Sequence, residues 1–152
     1  VPPRPVVEAS TWEAALALAR SLTGKGISKQ SFQLFAKIRE VDAFVRDLRI
    51  REVHPEVSFR HLAEEHPTIA APAAIARKKT WKGQRQRFEL LAAAGIHLPT
   101  ELGDASHIPP DDVLDAAVAA WSAARIAAGK AVSYPAQPSE RDRSERLLMI
   151  EA

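Results

Sequence analysis

The order of apolar and polar residues along the chain predicts a fold built mainly from helices. The clearest apolar stripe lies in the first third of the chain. There, large side chains recur at spacings of four and three residues: Leu34, Ile38, Val41, Val45 and Leu48. This spacing places the side chains on one face of a helix. We therefore predict a helix over residues 28–47, starting near Ser28.

The first ten residues, VPPRPVVEAS, are rich in proline. Proline has no backbone N–H and does not fit a helix interior, so an extended lead-in is expected here. The stretch that follows, STWE, has the pattern of a capping box, with Ser10 as the N-cap and Glu13 reaching back to it. These signals predict a helix over residues 11–22 that ends at Gly24.

Three further helices are predicted in the second half of the chain, at residues 57–65, 80–95 and 110–129. In the second of these, Gly83 should weaken the first turn. The third has the strongest helix signals in the chain. Pro110 stands at its start, aspartates fill its first turn and Gly129 ends it.

Only two segments carry strand signals. In LRIREVH, residues 48–54, apolar and polar residues alternate, which places Glu52 on the same face as Leu48 and Ile50. RLLMIE, residues 146–151, is the second predicted strand. Two strands are too few for a sheet that is stable by itself.

Composition is that of an ordinary globular protein. The 152 residues, with 46% hydrophobic and 26% charged, suffice for a single domain over residues 1–152. The chain has no cysteine, which excludes disulfides and thiolate metal sites and agrees with a cytoplasmic setting. No apolar run approaches the ~18 residues of a membrane helix, so no membrane partner is expected. The net charge of +2 is too small to indicate nucleic-acid binding by itself.

Carboxylates form one candidate site. Asp112 and Asp115 are three residues apart on the last predicted helix and share a face. Glu52 would lie on the apolar face of a strand, which is costly unless the carboxylate is paired or bound to a metal. Clustered carboxylates suit a hard divalent cation. The alternatives are aspartates favoured by the helix dipole and a Glu52 that pairs with an arginine or lies on an exposed edge.

Residues 77–87, RKKTWKGQRQR, form a second candidate site. Six of these eleven residues are basic and none is acidic: Arg77, Lys78, Lys79, Lys82, Arg85 and Arg87. Trp81 lies among them. Such a segment can follow a phosphate backbone and stack a base. The alternative is a solvated helix face without a ligand.

Four segments, taken in order, resemble one known family. They are GKGISKQSFQLFAKIREVDAF, REVHPEVSF, RKKTWKGQRQRFELL and PPDDVLDAAVAAWSAARIAAGKAVSYP. Together they resemble the DUF429 family, whose members are regarded as nucleases with an RNase H-like fold, and the resemblance spans about residues 1–151. The Asp-x-x-Asp pair on the last helix also resembles the RuvC-type Holliday-junction resolvases.

The resemblance implies an α/β, RNase H-like, helix-rich fold and a metal-dependent nuclease that hydrolyses phosphodiester bonds. The implied carboxylates for Mg²⁺ or Mn²⁺ are Glu52, Asp112 and Asp115, with Glu56 as a second choice for the strand acid. The basic residues expected to bind DNA or RNA are Lys78, Lys79, Lys82, Arg85 and Arg87. The alternative is a catalytically inactive nucleic-acid-binding or protein-interaction domain.

The chain departs from that family pattern at its start. RNase H-like folds begin with a three-stranded antiparallel meander whose first strand supplies an aspartate, and no such segment is recognisable here. We therefore expect either a C-terminal portion of an RNase H-like domain or a short natural form. An exposed sheet edge near residues 48–54 would then pair with a missing N-terminal segment or with a second copy of the chain in a homodimer.

Overall fold

The structure is a computed structural model that describes residues 2–42, 44, 47, 49–141 and 147–152. The chain divides into two compact units, Val1–Ile50 and Arg51–Ala152. The described part is helix-rich and carries one two-stranded antiparallel sheet. None of the helices in these residues is both long enough and apolar enough to cross a bilayer.

The first unit begins with a helix, which corrects the predicted extended lead-in. Helix α1 spans Arg4–Glu8 and buries Val6 and Val7. Its proline lies in the first turn, where the missing N–H has no helical partner to lose. Helix α2 spans Trp12–Thr23 and ends at Gly24, whose φ of 70° suits glycine.

The predicted N-cap of α2 is displaced by one residue. Thr11, rather than Ser10, is the N-cap, and its Oγ1 accepts a hydrogen bond of 3.2 Å from the Ala14 N–H. Serine and threonine can both cap a helix. Here the hydrogen bond to the Ala14 N–H identifies Thr11 as the N-cap. The Ser10–Glu13 capping box is therefore wrong in register.

The helix predicted over residues 28–47 is divided in two. Helix α3 spans Lys29–Gln33 and α4 spans Phe35–Asp42, with Leu34 between them. Leu34 and Val41, which belong to the predicted apolar stripe, are 54% and 53% exposed, whereas Phe35 is buried. An aromatic side chain removes more apolar area from water than a leucine or valine does, which favours this face. Val45 and Leu48 lie outside the described residues.

The second unit has its core between three helices: α5, Pro55–Glu65; α6, Trp81–Ala93; and α7, Pro110–Ala127. Their buried apolar side chains form one cluster with Ala70: Phe59, Leu62, Ala63, Leu90, Leu91, Leu114, Val118 and Trp121. The small side chain of Ser122 lets α7 approach α5, where its Oγ donates a 2.7 Å hydrogen bond to the Ser58 Oγ. Short 3₁₀ helices at Pro72–Ala74 and Gly103–His107 lie in the connecting loops.

The sheet of the second unit is small. Strand β1, Ser133–Tyr134, pairs antiparallel with β2, Ile150–Glu151. Of the predicted strand at residues 48–54, the described residues form only a single parallel bridge from Val53 to Glu151. The predicted strand at residues 146–151 is confirmed only over Ile150–Glu151. Leu147 forms a single antiparallel bridge to Arg141, residues 148–149 are not in a strand, and residue 146 lies outside the described part of the chain.

Candidate functional site

The basic segment is built from the start of α6 and the loop before it. Thr80 is the N-cap of α6, and its Oγ1 accepts a 3.1 Å hydrogen bond from the Gly83 N–H. The Thr80 hydroxyl also donates to the Arg77 carbonyl over 2.8 Å. A Cβ on Gly83 would lie 2.1 Å from that carbonyl oxygen. Because Gly83 has no Cβ, the loop can pack against the first turn of α6. The sequence predicted only that Gly83 would weaken this turn.

The buried side chain of Arg87 forms hydrogen bonds to the same loop from inside the second unit. Its side chain is 1% exposed and lies 5.1 Å from the ring centroid of Phe59. The guanidinium donates hydrogen bonds to the carbonyls of Ala76 and Gly83 and to the Glu56 carboxylate, at 2.8, 3.0 and 2.8 Å. The family resemblance implied that Arg87 holds phosphate. In the structure its two terminal nitrogens donate to protein oxygens, whereas its Nε is buried and has no partner among the described residues. The loop carbonyls need such donors once they are buried.

Lys78 also points to protein carboxylates. Its Nζ lies 2.6 Å from Asp115 Oδ2 and 3.9 Å from Asp111 Oδ2, and its side chain is 33% exposed. The hydrogen bond that Lys78 donates to Asp115 raises the pKa of Lys78, against a smaller lowering by burial. The charges of Asp115, Asp111 and Glu56 raise this pKa further. Lys78 thus serves as the counter-ion of a group of acids on α5 and α7.

The predicted metal ligands do not come together around one point. Glu52 is exposed, which corrects the expectation that its side chain lies on a buried face, and its carbonyl accepts a bond from the Glu151 N–H. Asp112 is exposed on α7, whereas Asp115 contacts Lys78 and Glu56 contacts Arg87. Because each of the two half-buried acids faces its own cation, the set lacks the shared centre that a divalent ion needs.

Within the described residues, no group of three or more histidine, aspartate and glutamate side chains is arranged to hold a metal ion. The donor set therefore does not fit Mg²⁺ or Mn²⁺ in this arrangement. One oxygen is of interest: Asp115 Oδ1 is buried and has no hydrogen-bond partner there. It is the only ligand atom of the predicted set with that property in the part of the chain that the structure describes.

The remaining cations of the segment are open to solvent. Arg77, Lys79 and Lys82 are exposed, and no carboxylate of the described chain lies within ion-pair distance of them. Trp81, between the two lysines, is 77% exposed. We call these four residues the basic face. The first turn of α6 has no acidic residue, so the positive end of the helix dipole adds to its potential.

A comparison with protein-family models matches residues 1–140 to DUF429, a protein family of unknown function. The chain belongs to the DUF429 family. This confirms the family predicted from the four segments. No curated protein and no solved structure matches this DUF429 chain.

One residue of the DUF429 chain was missed as a site candidate, and another was named in the basic run but not among the residues expected to bind nucleic acid. Asp111, rather than Asp112, joins Asp115 at Lys78, and the four-residue spacing was visible in the sequence. Arg77 was left out of the predicted nucleic-acid-binding residues although it is exposed and unpaired among the described residues. Arg85, which was included, is exposed but forms an ion pair with Glu89 at 2.8 Å. The four-residue spacing of Arg85 and Glu89 was a local sequence signal for that pair. The partners of Lys78 and Arg87 are distant in sequence, so no local signal marked those two cations as paired.

Proposed function

We propose that this DUF429 protein binds nucleic acid through the basic face, with Arg77, Lys79 and Lys82 as the phosphate contacts. The observation that carries this proposal is the division of the basic run into two sets. Lys78, Arg85 and Arg87 are engaged by acids or carbonyls of the protein. The other three cations are exposed and free of carboxylates in the described chain. A uniformly solvated helix face would show no such division.

Unpaired surface cations are the physical requirement for binding a polyanion. Each phosphate contact releases condensed counter-ions, so affinity falls as salt rises. Three contacts on a single strand correspond to a slope of about −2 in a plot of log K against log salt concentration. Lysines already neutralised by a carboxylate contribute little to this slope, which is why Lys78 is not among the proposed contacts.

The test is a titration of a labelled oligonucleotide followed by fluorescence anisotropy at several salt concentrations. We expect salt-dependent binding that is strongly weakened in the double variant Lys79→Glu/Lys82→Glu. The matched control is Lys25→Glu/Lys37→Glu, which changes the net charge equally at exposed lysines outside the face. Equal loss in both double variants would mean that only net charge matters, and the proposal would then fail.

A metal-dependent nuclease with an RNase H-like fold is the second candidate. Its support is the resemblance noted from the sequence, together with one feature of the site. Asp111 and Asp115, one helical turn apart, and Glu56 on α5 all act electrostatically on the Lys78 ammonium group. Nuclease activity would require these carboxylates to accept Mg²⁺ or Mn²⁺ in place of that cation.

Calorimetric titration with Mn²⁺ separates the two candidates. If the chain only binds nucleic acid, the heat signal should show no saturable site. If the nuclease proposal is correct, a saturable site should appear and should be lost in Asp115→Asn. Asp104→Asn is the matched control, because Asp104 is exposed, lies outside α7 and is not among the implied ligands.

A further inference from the structure

We infer that the basic face selects single-stranded over double-stranded nucleic acid, because Trp81 is placed to stack on an unpaired base. This inference rests on the proposed function and adds the class of nucleic acid to it. Trp81 has the highest exposure of the large hydrophobic side chains in the described residues, at 77%. Leaving so large an apolar ring in water is costly, and a stacked base would remove that cost.

In contrast to Trp81, each of the other two tryptophans has a cation of the described chain beside its ring. Trp121 is 8% exposed and has the Arg125 guanidinium 4.7 Å from its ring centroid. Trp12 has the Lys29 ammonium 5.0 Å from its ring centroid. No aromatic ring or cation of the described chain stacks on Trp81. Its ring therefore remains available for an external partner with a π-face.

A stacking surface can extend along α6 beyond Trp81. Arg85 and Phe88 follow at four and seven residues and share its helix face. Phe88 is 38% exposed, and Arg85 is held by Glu89 through a 2.8 Å hydrogen bond. At 1.5 Å per residue, the two aromatic residues are separated by about 10 Å along the helix axis. Aromatic rings and a planar guanidinium on one face form a stacking surface that tolerates any base.

A duplex cannot use this surface in the same way. Its bases are paired and stacked inside the helix, so a protein helix that approaches from outside meets phosphates and groove edges. A single strand can turn its bases outward onto aromatic side chains while its phosphates follow a basic track. Lysines and a tryptophan that lack a partner among the described residues therefore favour single-stranded DNA or RNA as the ligand.

The test compares three ligands of roughly 12 nucleotides, within the usual footprint of single-strand-binding folds. They are a single strand, an abasic strand with the same number of phosphates, and a duplex. Stacking of one base should make the single strand bind about 5- to 150-fold more tightly than the abasic strand. Trp81→Ala should remove this advantage and leave binding of the abasic strand unchanged.

Phe44→Ala is the matched control, because Phe44 is a 63% exposed aromatic residue outside α6. Circular dichroism melting of Trp81→Ala verifies that the variant is folded. The inference is overturned if the single and abasic strands bind equally, if the duplex binds more tightly, or if Trp81→Ala has no effect. If none of the three ligands binds, or if a polyglutamate peptide binds as tightly, the proposed function fails and the inference with it.

Discussion

Gly83 is a residue whose role follows from its surroundings rather than from its helix propensity. In an isolated helix, alanine is favoured over glycine by about 1 kcal/mol. At position 83, however, the backbone carbonyls of Arg77 and Ala76 lie 2.1 and 2.7 Å from the point that a Cβ would occupy. Because both contacts are backbone atoms, neither can rotate away. The loop that carries the basic face depends on this absence of a side chain.

Gly83→Ala should therefore destabilise the protein, although propensity alone would favour it. We expect a loss of about 2 kcal/mol or more in the free energy of unfolding, comparable with overpacking of a core. Urea unfolding followed by circular dichroism measures this. Lys82→Ala, an exposed change in the same turn, should stay within about 0.5 kcal/mol of the parent. A gain in stability for Gly83→Ala would contradict the close packing of the loop.

The electrostatic role of Lys78 is set by its contact with Asp115. Its pKa is raised above the ordinary value of 10.5, mainly by the hydrogen bond to Asp115. A group whose pKa is raised on folding stabilises the protein fully below its unfolded pKa. That contribution is lost as the pH rises through the folded pKa. The Lys78–Asp115 pair should therefore act at neutral pH and disappear in alkali.

Lys78→Met should lower the free energy of unfolding by about 0.2–1 kcal/mol at neutral pH, since the pair is partly solvated. The difference from the parent should shrink above about pH 10.5 as the ammonium group of the parent loses its proton. Urea unfolding at a series of pH values gives this difference. Lys79→Met is the control, because Lys79 is exposed and has no ion-pair partner in the described chain. A constant difference up to about pH 12 would argue against the pair.

Helix boundaries are the features of single elements that sequence patterns located best. The end of α2 at Gly24 and the start of α3 after Ser28 both agree with the prediction. The ends of helices α5, α6 and α7 lie within two residues of their predicted positions. Caps and terminal glycines act within a few residues, so they can be recognised without tertiary contacts. Two adjacent capping residues, as at the start of α2, are harder to separate.

Substitution of these two residues tests the observed register of α2. Thr11→Ala should cost about 0.5–2 kcal/mol, because the Thr11 Oγ1 is the acceptor for the Ala14 N–H. Ser10→Ala, next to it, should change stability by less than about 0.5 kcal/mol. Thermal melting of the two variants gives the comparison. The reverse order of the two effects would restore the capping box that begins at Ser10.

In the second unit, one ion pair joins two residues that are far apart in the sequence. The Arg51 guanidinium donates two hydrogen bonds, of 2.5 and 2.8 Å, to the Glu151 carboxylate one hundred residues away. The Glu151 side chain is 10% exposed, so its charge is largely removed from water. This pair joins the start of the unit to β2, next to the bridge formed by Val53.

Arg51→Met should destabilise the protein by about 2–4 kcal/mol, because it leaves the Glu151 carboxylate buried without a partner. Arg49→Met is the control. Its guanidinium pairs with Asp47 near the surface, and its side chain is 90% exposed, so the cost should be below about 1 kcal/mol. Denaturant unfolding compares the two variants. Equal costs would show that Glu151 does not depend on Arg51.

The sequence by itself determined the helical character, most helix ends, the basic run and the family of this protein. These features rest on local spacing and on ordered motifs, which are present before the chain folds. Only the tertiary structure decided which side chains meet. It buried Phe35 rather than Leu34, exposed Glu52 and paired Lys78 with Asp115, whereas Lys79 and Lys82 have no ion-pair partner within the described ranges. Pairing and burial depend on residues distant in sequence, so a local pattern cannot distinguish a cation that neutralises the protein's own acids from one that is free to bind a ligand.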